Sequence, residues 1–288
     1  MKILFGILIS LISLPSIGQQ MEKNSIKSFM GDPMQAGGVP YGVNQTAGKF
    51  VDVGDAKLYY EIYGTGIPLV ILHGGGVGSI YEMHQFIDSL SQNFQVIAIS
   101  TRGHGKSGLG NGPTTVVQKA NDILAVVNAE KLDKVIVLGF SDGAYSGFSF
   151  ASTYPEKIIK LIAIGAGEET PELRKISMDL PELYGLDPVF KEQQLVLMPE
   201  PERLKEMGDR MAAFYNSTSF SKELFNKIQC PVLVMAGEKD GNAPLQTIIT
   251  AYLMIPDSQL SIVPNTGHVV FNENFSAVWA SMKPFLEE

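Results

Sequence analysis

Short runs made only of apolar residues recur along this chain: Leu69-Val70-Ile71-Leu72, Val96-Ile97-Ala98-Ile99, Val135-Ile136-Val137-Leu138, Leu161-Ile162-Ala163-Ile164 and Val232-Leu233-Val234-Met235. A strand with one wet face alternates apolar and polar residues. A strand with no polar position is covered on both faces, which is the signature of a parallel sheet. Parallel neighbours need long crossovers, and the intervening stretches carry helical patterns. Val116, Val117, Ala120, Ile123, Leu124 and Val127 recur at i, i+3, i+4 and i+7. After Asn272, residues Phe275, Val278, Trp279, Met282 and Phe285 share one face, so Trp279 reads as a core anchor. Phe50-Val51-Asp52-Val53 and the segment from Lys57 to Tyr63 read as two strands around a Gly-Asp turn, and the segment from Gln259 to Val263 as the last strand. The expected class is α/β, with a mostly parallel central sheet flanked by helices.

One stretch breaks this rhythm. Residues 167–228 hold no apolar strand and are charged and punctuated by proline, with Leu204, Met207, Met211 and Phe214 on one stripe. An insertion this long exceeds a simple crossover loop. It reads as a small helical cap over the carboxyl ends of the strands, where open α/β sheets place their sites. Residues 19–48 have no period and read as a flexible leader, so the folded domain is expected over 49–288. Before them come Lys2, an apolar run from Ile3 to Leu14, Pro15 and the small-residue pattern Ser16-Ile17-Gly18. That order describes a signal peptide, 1–18, cleaved after Gly18. Its apolar run is too short to span a bilayer comfortably. The mature chain is therefore expected to be exported, periplasmic or secreted, without stable membrane insertion.

Lys and Arg number 22 against 30 Asp and Glu, a formal net charge of -8. No basic block exists to neutralise phosphates, so nucleic acid is not an expected partner. The single cysteine, Cys230, rules out an internal disulfide framework and a cysteine-based zinc site. It precedes an apolar run and reads as buried. With the histidines widely separated, no metal and no organic cofactor is expected. Nothing in the sequence fixes an oligomeric state.

The chemistry gathers at strand ends. Gly139-Phe140-Ser141-Asp142-Gly143 lies between the apolar run 135–138 and a helix-like stretch. There a Gly-x-Ser-x-Gly pattern is a nucleophile elbow, a turn so tight that the serine is strained and its Oγ stands exposed. His73-Gly74-Gly75-Gly76 ends the run 69–72, and its glycines free backbone N–H groups to face a ligand. An oxyanion hole needs two such donors. The expected pair is the amide of Asp142, directly after the nucleophile, and that of Gly75, with Gly74 and Gly76 as competitors. His73 reads as a hydrogen-bonder holding this loop. Asp240 in Gly237-Glu238-Lys239-Asp240 and His268 in Asn265-Thr266-Gly267-His268 follow later strands, giving the chain order Ser, Asp, His. His268 would accept the serine proton, and Asp240 would orient His268. Such a base must be neutral, so activity is expected to fall on acidification. The side chain of Asp142 reads first as an outward-turned helix cap, and second as a receptor for a substrate ammonium.

These residues resemble the α/β-hydrolase superfamily over roughly 50–287. The matches are His73-Gly74-Gly75-Gly76, Arg102-Gly103-His104-Gly105-Lys106-Ser107, Gly139-Phe140-Ser141-Asp142-Gly143, Gly237-Glu238-Lys239-Asp240 and Gly267-His268. The resemblance implies a Ser–His–Asp hydrolase with a cap after the sixth strand, Ser141 being the nucleophile, Asp240 the acid and His268 the base. The family often has Asp where this chain has Ser100, which is expected to weaken a structural loop. The leading expectation is a carboxylesterase-like enzyme acting on a small-molecule ester through an acyl-enzyme. The alternatives are an aminopeptidase resembling proline iminopeptidases, with Asp142 or a cap glutamate holding the amine of an amide substrate; a lactone hydrolase on the same triad; and, outside catalysis, a ligand-binding receptor of this fold.

Overall fold

The computed structural model describes residues 26–288. The expected signal peptide and the first residues of the leader lie outside the described residues. An eight-stranded sheet forms the centre, in the order β1-β2-β4-β3-β5-β6-β7-β8. The strands are β1 (Gly48–Asp52), β2 (Lys57–Tyr63), β3 (Ile67–Leu72), β4 (Phe94–Ile99), β5 (Val135–Phe140), β6 (Ile158–Ile164), β7 (Val232–Gly237) and β8 (Ser258–Val263). Strand β2 runs antiparallel to both β1 and β4, and every pairing from β4 through β8 is parallel.

The apolar runs are fully apolar because each face of the sheet has its own core. Val70, Leu72, Val135, Val137, Leu161, Ala163, Val232 and Val234 point to one face. Leu69, Ile71, Ile136, Leu138, Ile162, Ile164, Leu233 and Met235 point to the other. Helices α2 (Val116–Ala129), α3 (Asp142–Thr153) and α8 (Leu245–Met254) cover the first face. Helices α1 (His84–Leu90) and α9 (Val270–Glu287) cover the second. Each large aliphatic side chain so buried contributes about 1.5–3 kcal/mol of transfer free energy. Trp279 is half-buried on α9, with its ring stacked on Phe275. Cys230 is buried, and desolvation pushes its thiol up to about 12, leaving it an unreactive thiol.

Between β6 and β7 the chain forms α4 (Leu180–Gly185), α5 (Pro188–Leu197), α6 (Leu204–Tyr215) and α7 (Lys222–Phe225). Leu180, Tyr184, Phe190, Leu204, Met207 and Met211 gather into a separate apolar cluster inside this insertion.

The leader departs from the flexible segment expected for it. Ile26 and Tyr41 are buried. Lys27 pairs with Asp187 at 2.8 Å, and the amide of Met30 donates to the same carboxylate at 2.8 Å. Phe29 meets Phe190 edge-on. Farther on, the fully buried carboxylate of Glu61 accepts from the amides of Gly42 (2.7 Å) and Asn44 (2.9 Å) and from the hydroxyls of Tyr59 (2.7 Å) and Tyr63 (2.8 Å). These anchors lie far away in sequence, so no local period announces them.

Candidate active site

Strand β5 runs straight into Ser141, which has φ 50° and ψ -117° and starts α3. For a residue with a side chain this is a strained conformation. It persists because the surroundings fix it: the Ser141 amide donates to the carbonyl of Ile164 on β6 at 2.7 Å. A Cβ on Gly143 would overlap the Leu72 and His73 carbonyls, so the elbow closes only with glycine there.

The loops after β7 and β8 bring Asp240 and His268 to the same edge. The Ser141 hydroxyl lies 2.9 Å from His268 Nε2. On the far side of the ring, Nδ1 is 2.8 Å from Asp240 Oδ2 and 2.9 Å from Oδ1. Asp240 is buried, and its Oδ1 also accepts from the amides of Asn242 and Ala243, both at 2.8 Å. The carboxylate is held from two sides, so it in turn holds the imidazole. Phe140 packs its ring against that of His268, with centroids 5.0 Å apart.

The glycine loop after β3 sits beside the elbow. The Gly74 amide donates to Glu82 Oε2 at 2.9 Å and is therefore spent. Among the described residues the Gly75 amide has no acceptor, and a Cβ on Gly75 would press on Asp142 Cβ and on Met211 Cε. Between these two candidates the geometry favours Gly75. Asp142 opens α3, where its own amide has no partner within the helix. His73 is a loop-holder: Nε2 accepts from the Thr101 amide (3.1 Å) and Nδ1 donates to the Gly74 carbonyl (2.6 Å). Burial holds its pKa down to about 4, so it is neutral. Ser100 keeps the next loop closed in place of an aspartate. Its hydroxyl donates to the His104 carbonyl (2.8 Å), and Ser107 donates to the Ser100 carbonyl (2.6 Å).

Both sequence expectations for the Asp142 side chain need correcting. It is neither outward-turned nor available to a substrate ammonium. It is buried, with Lys119 Nζ 2.8 Å from Oδ2 and 2.9 Å from Oδ1, and the Tyr215 hydroxyl donates to Oδ1 at 2.6 Å. Burial works to raise its pKa, but the Lys119 charge and these hydrogen bonds overcome it and leave the pKa lowered. Glu169, a buried glutamate of the insertion, is paired through Oε2 with Arg174. A cavity of about 50 Å³ adjoins Asp142 on the side of α2 and α6, bordered by Lys119, Ser146, Met211 and His104, whose Nε2 has no hydrogen-bond partner among the described residues.

Sequence reasoning missed Lys119, Tyr215 and Glu82. Lys119 sits in an ordinary amphipathic helix, and Glu82 in a turn with no motif. Tyr215 lies one residue beyond the stripe that ends at Phe214. Among the described residues no group of three His, Cys, Asp or Glu could hold a metal, and no helix is long and apolar enough to cross a membrane.

A family model described as alpha/beta hydrolase fold matches residues 68–189. A protein of Azorhizobium caulinodans, provisionally assigned as a carbamate hydrolase, is 28% identical over 251 residues, covering 76% of this chain and 94% of its own. A proline iminopeptidase of Pestalotiopsis fici is 28% identical over 284 residues, covering 83% of this chain and 99% of its own. Among solved structures, an esterase from Rhodococcus superimposes with a TM-score of 0.69 at 22% identity, covering 84% of this chain and 99% of that one.

Proposed function

We propose that the chain, which matches the alpha/beta hydrolase fold over residues 68–189, is an exported serine hydrolase of small carboxylic esters. The observation that carries the reading is the relay from Ser141 Oγ through His268 to Asp240, at 2.9 Å and 2.8 Å, on a strained elbow. Ser141 attacks the acyl carbon while His268 Nε2 takes its proton. Asp240 stabilises the imidazolium so formed. The amides of Gly75 and Asp142 receive the charge that develops on the carbonyl oxygen. His268 then protonates the leaving alcohol, and the bond to it breaks, leaving an acyl-serine. A water molecule, deprotonated by His268, releases the acid and restores Ser141. The same steps open a lactone, whose alcohol remains attached to the acid.

The aminopeptidase reading draws support from the iminopeptidase relative. It is weakened because Lys119 already neutralises Asp142 and Arg174 pairs with Glu169. Export rests on residues 1–18 alone and is tested by cell fractionation of the full chain.

The test is hydrolysis of p-nitrophenyl esters from acetate to palmitate beside a panel of aminoacyl p-nitroanilides, with wild type and Ser141→Ala compared. A fluorophosphonate probe is expected to label the wild type and not Ser141→Ala. Ester turnover that vanishes in Ser141→Ala is the expected result. Turnover confined to the aminoacyl panel would move the assignment to a peptidase. A folded wild type silent on both panels and unlabelled would leave the ligand-binding alternative.

A further inference from the structure

The cap helix α6 reaches both amides assigned above to the oxyanion hole. Met211 Cε stands where a side chain on Gly75 would begin, so this cap residue packs directly on the Gly75 backbone. One turn later, Tyr215 donates its hydroxyl to Asp142 Oδ1 at 2.6 Å. From the core side Lys119 grips both carboxylate oxygens. Ser146 donates to the Asp142 carbonyl at 2.9 Å and lies 3.3 Å from Lys119 Nζ. The Asp142 side chain is therefore fixed from the cap by Tyr215 and from the core by Lys119, and the peptide that carries its N–H is fixed with it.

This clamp is internal. Asp142 is 5% exposed and Tyr215 7% exposed. Burial, and then the neighbouring Asp142 charge, drives the Tyr215 hydroxyl well above its ordinary pKa, so it stays a donor. The Tyr215 ring is itself held edge-on by Tyr145, one turn after Ser141 on α3, and by Phe214 beside it. A hydrogen-bonded carboxylate in a low-dielectric setting is rigid, because any rotation strands a buried charge.

We propose that Tyr215 is a positioning residue of the oxyanion hole, acting through Asp142, so that seating the cap on the sheet and assembling the hole are one event. The proposal rests on the serine-hydrolase reading. Its physical content is that oxyanion donors act by preorganisation, and a donor free to swing loses much of its effect on the transition state while ground-state binding stays the same. Loss of the Tyr215 hydroxyl should therefore appear in kcat and not in KM. It should also disappear once the Asp142 carboxylate, through which it acts, has been altered.

The experiment measures kcat and KM for p-nitrophenyl butyrate, the rate of fluorophosphonate labelling, and thermal unfolding. It uses wild type, Tyr215→Phe, Asp142→Asn and the double variant. Tyr215→Phe is expected to lower kcat and the labelling rate by about 10-fold, with KM within about twofold. In the Asp142→Asn background the same change is expected to add less than about twofold, since the two residues act as one unit. Wild-type kcat in a folded Tyr215→Phe would overturn the proposal, as would an equal loss in both backgrounds or a change confined to KM. Those results leave the serine assignment standing, because wild type still labels and Ser141→Ala does not. A wild type that neither labels nor turns over ester fails at the earlier step. If Tyr215→Phe does not fold, Asp142→Asn alone carries the test, because it alters the carboxylate through which Tyr215 acts; the same split between kcat and KM is expected, and an unchanged kcat overturns the proposal.

Discussion

An aspartate directly after the proposed nucleophile, Ser141, carries two obvious sequence readings, because the first turn of a helix favours an acid and a carboxylate near a reacting centre favours a cation. A residue 23 positions earlier decides between them. Lys119 places its ammonium on both Asp142 oxygens, and the two side chains are 10% and 7% exposed. Breaking a buried pair from one side strands a charge and is far more costly than removing both partners. Lys119→Met is therefore expected to destabilise the protein by about 3 kcal/mol in urea unfolding. Lys119→Met combined with Asp142→Asn is expected to recover most of that loss. A single variant within about 0.5 kcal/mol of wild type would mean that water or rearrangement compensates Asp142. Asp142 and His268 were both legible in the sequence as site residues, because their positions follow strand ends. Lys119 was not, because its role exists only where α2 packs on α3.

At the scale of elements, what was legible follows from burial. The strands β3 to β7 announced themselves because helices cover both faces and leave no polar position. Ser141, Asp240 and His268 were legible as candidates because each stands at or just beyond the end of one of the parallel strands β5, β7 and β8, where the topology forces convergence. The leader departs from its expectation because its order comes from partners outside it, Asp187 for its first residues and Glu61 for its last. Glu61 on β2 satisfies two amides of the segment 41–46 and two tyrosine hydroxyls. Glu61→Ala would leave these donors without their acceptor at a buried site, each such loss costing about 1–3 kcal/mol where water cannot enter. The expected result is a stability loss of at least about 3 kcal/mol. Amide exchange at Gly42 and Asn44 should accelerate more than exchange along β3. Unchanged protection at those two amides would show that packing around Tyr41, not Glu61, holds the leader.

For the whole molecule, the buried ionisable groups set how stability follows pH. Burial, the main cause for both, lowers His73 to about 4 and His104 to about 3, from an ordinary 6.5. For His104 the neighbouring His73 ring, 4.8 Å away, adds to the effect. The unfolded chain binds protons at these two positions before the folded one does. Their contribution is thus complete above about 6.5 and is lost as pH falls toward 4 and 3. Glu82 acts with the opposite sign. Desolvation raises it to about 7, against the lowering effect of the Gly74 amide, so its contribution is complete below its ordinary 4.5 and is lost as pH rises through 7. Between 4.5 and 6.5 two histidines oppose one glutamate, which leaves about one excess proton on the unfolded chain. Stability should then fall on acidification by about 1.4 kcal/mol per pH unit in that window. Below 4.5 the opposition from Glu82 ends and the fall should steepen. Glu82→Gln keeps an acceptor for the Gly74 amide but removes the opposing ionisation. It should be more stable than wild type at pH 8, lose that advantage below pH 4.5, and show a steeper slope in between. Urea midpoints from pH 4 to 8 for both proteins check this. A wild-type stability that is flat across the window would show that water reaches His73 and His104 and that neither is held neutral by burial.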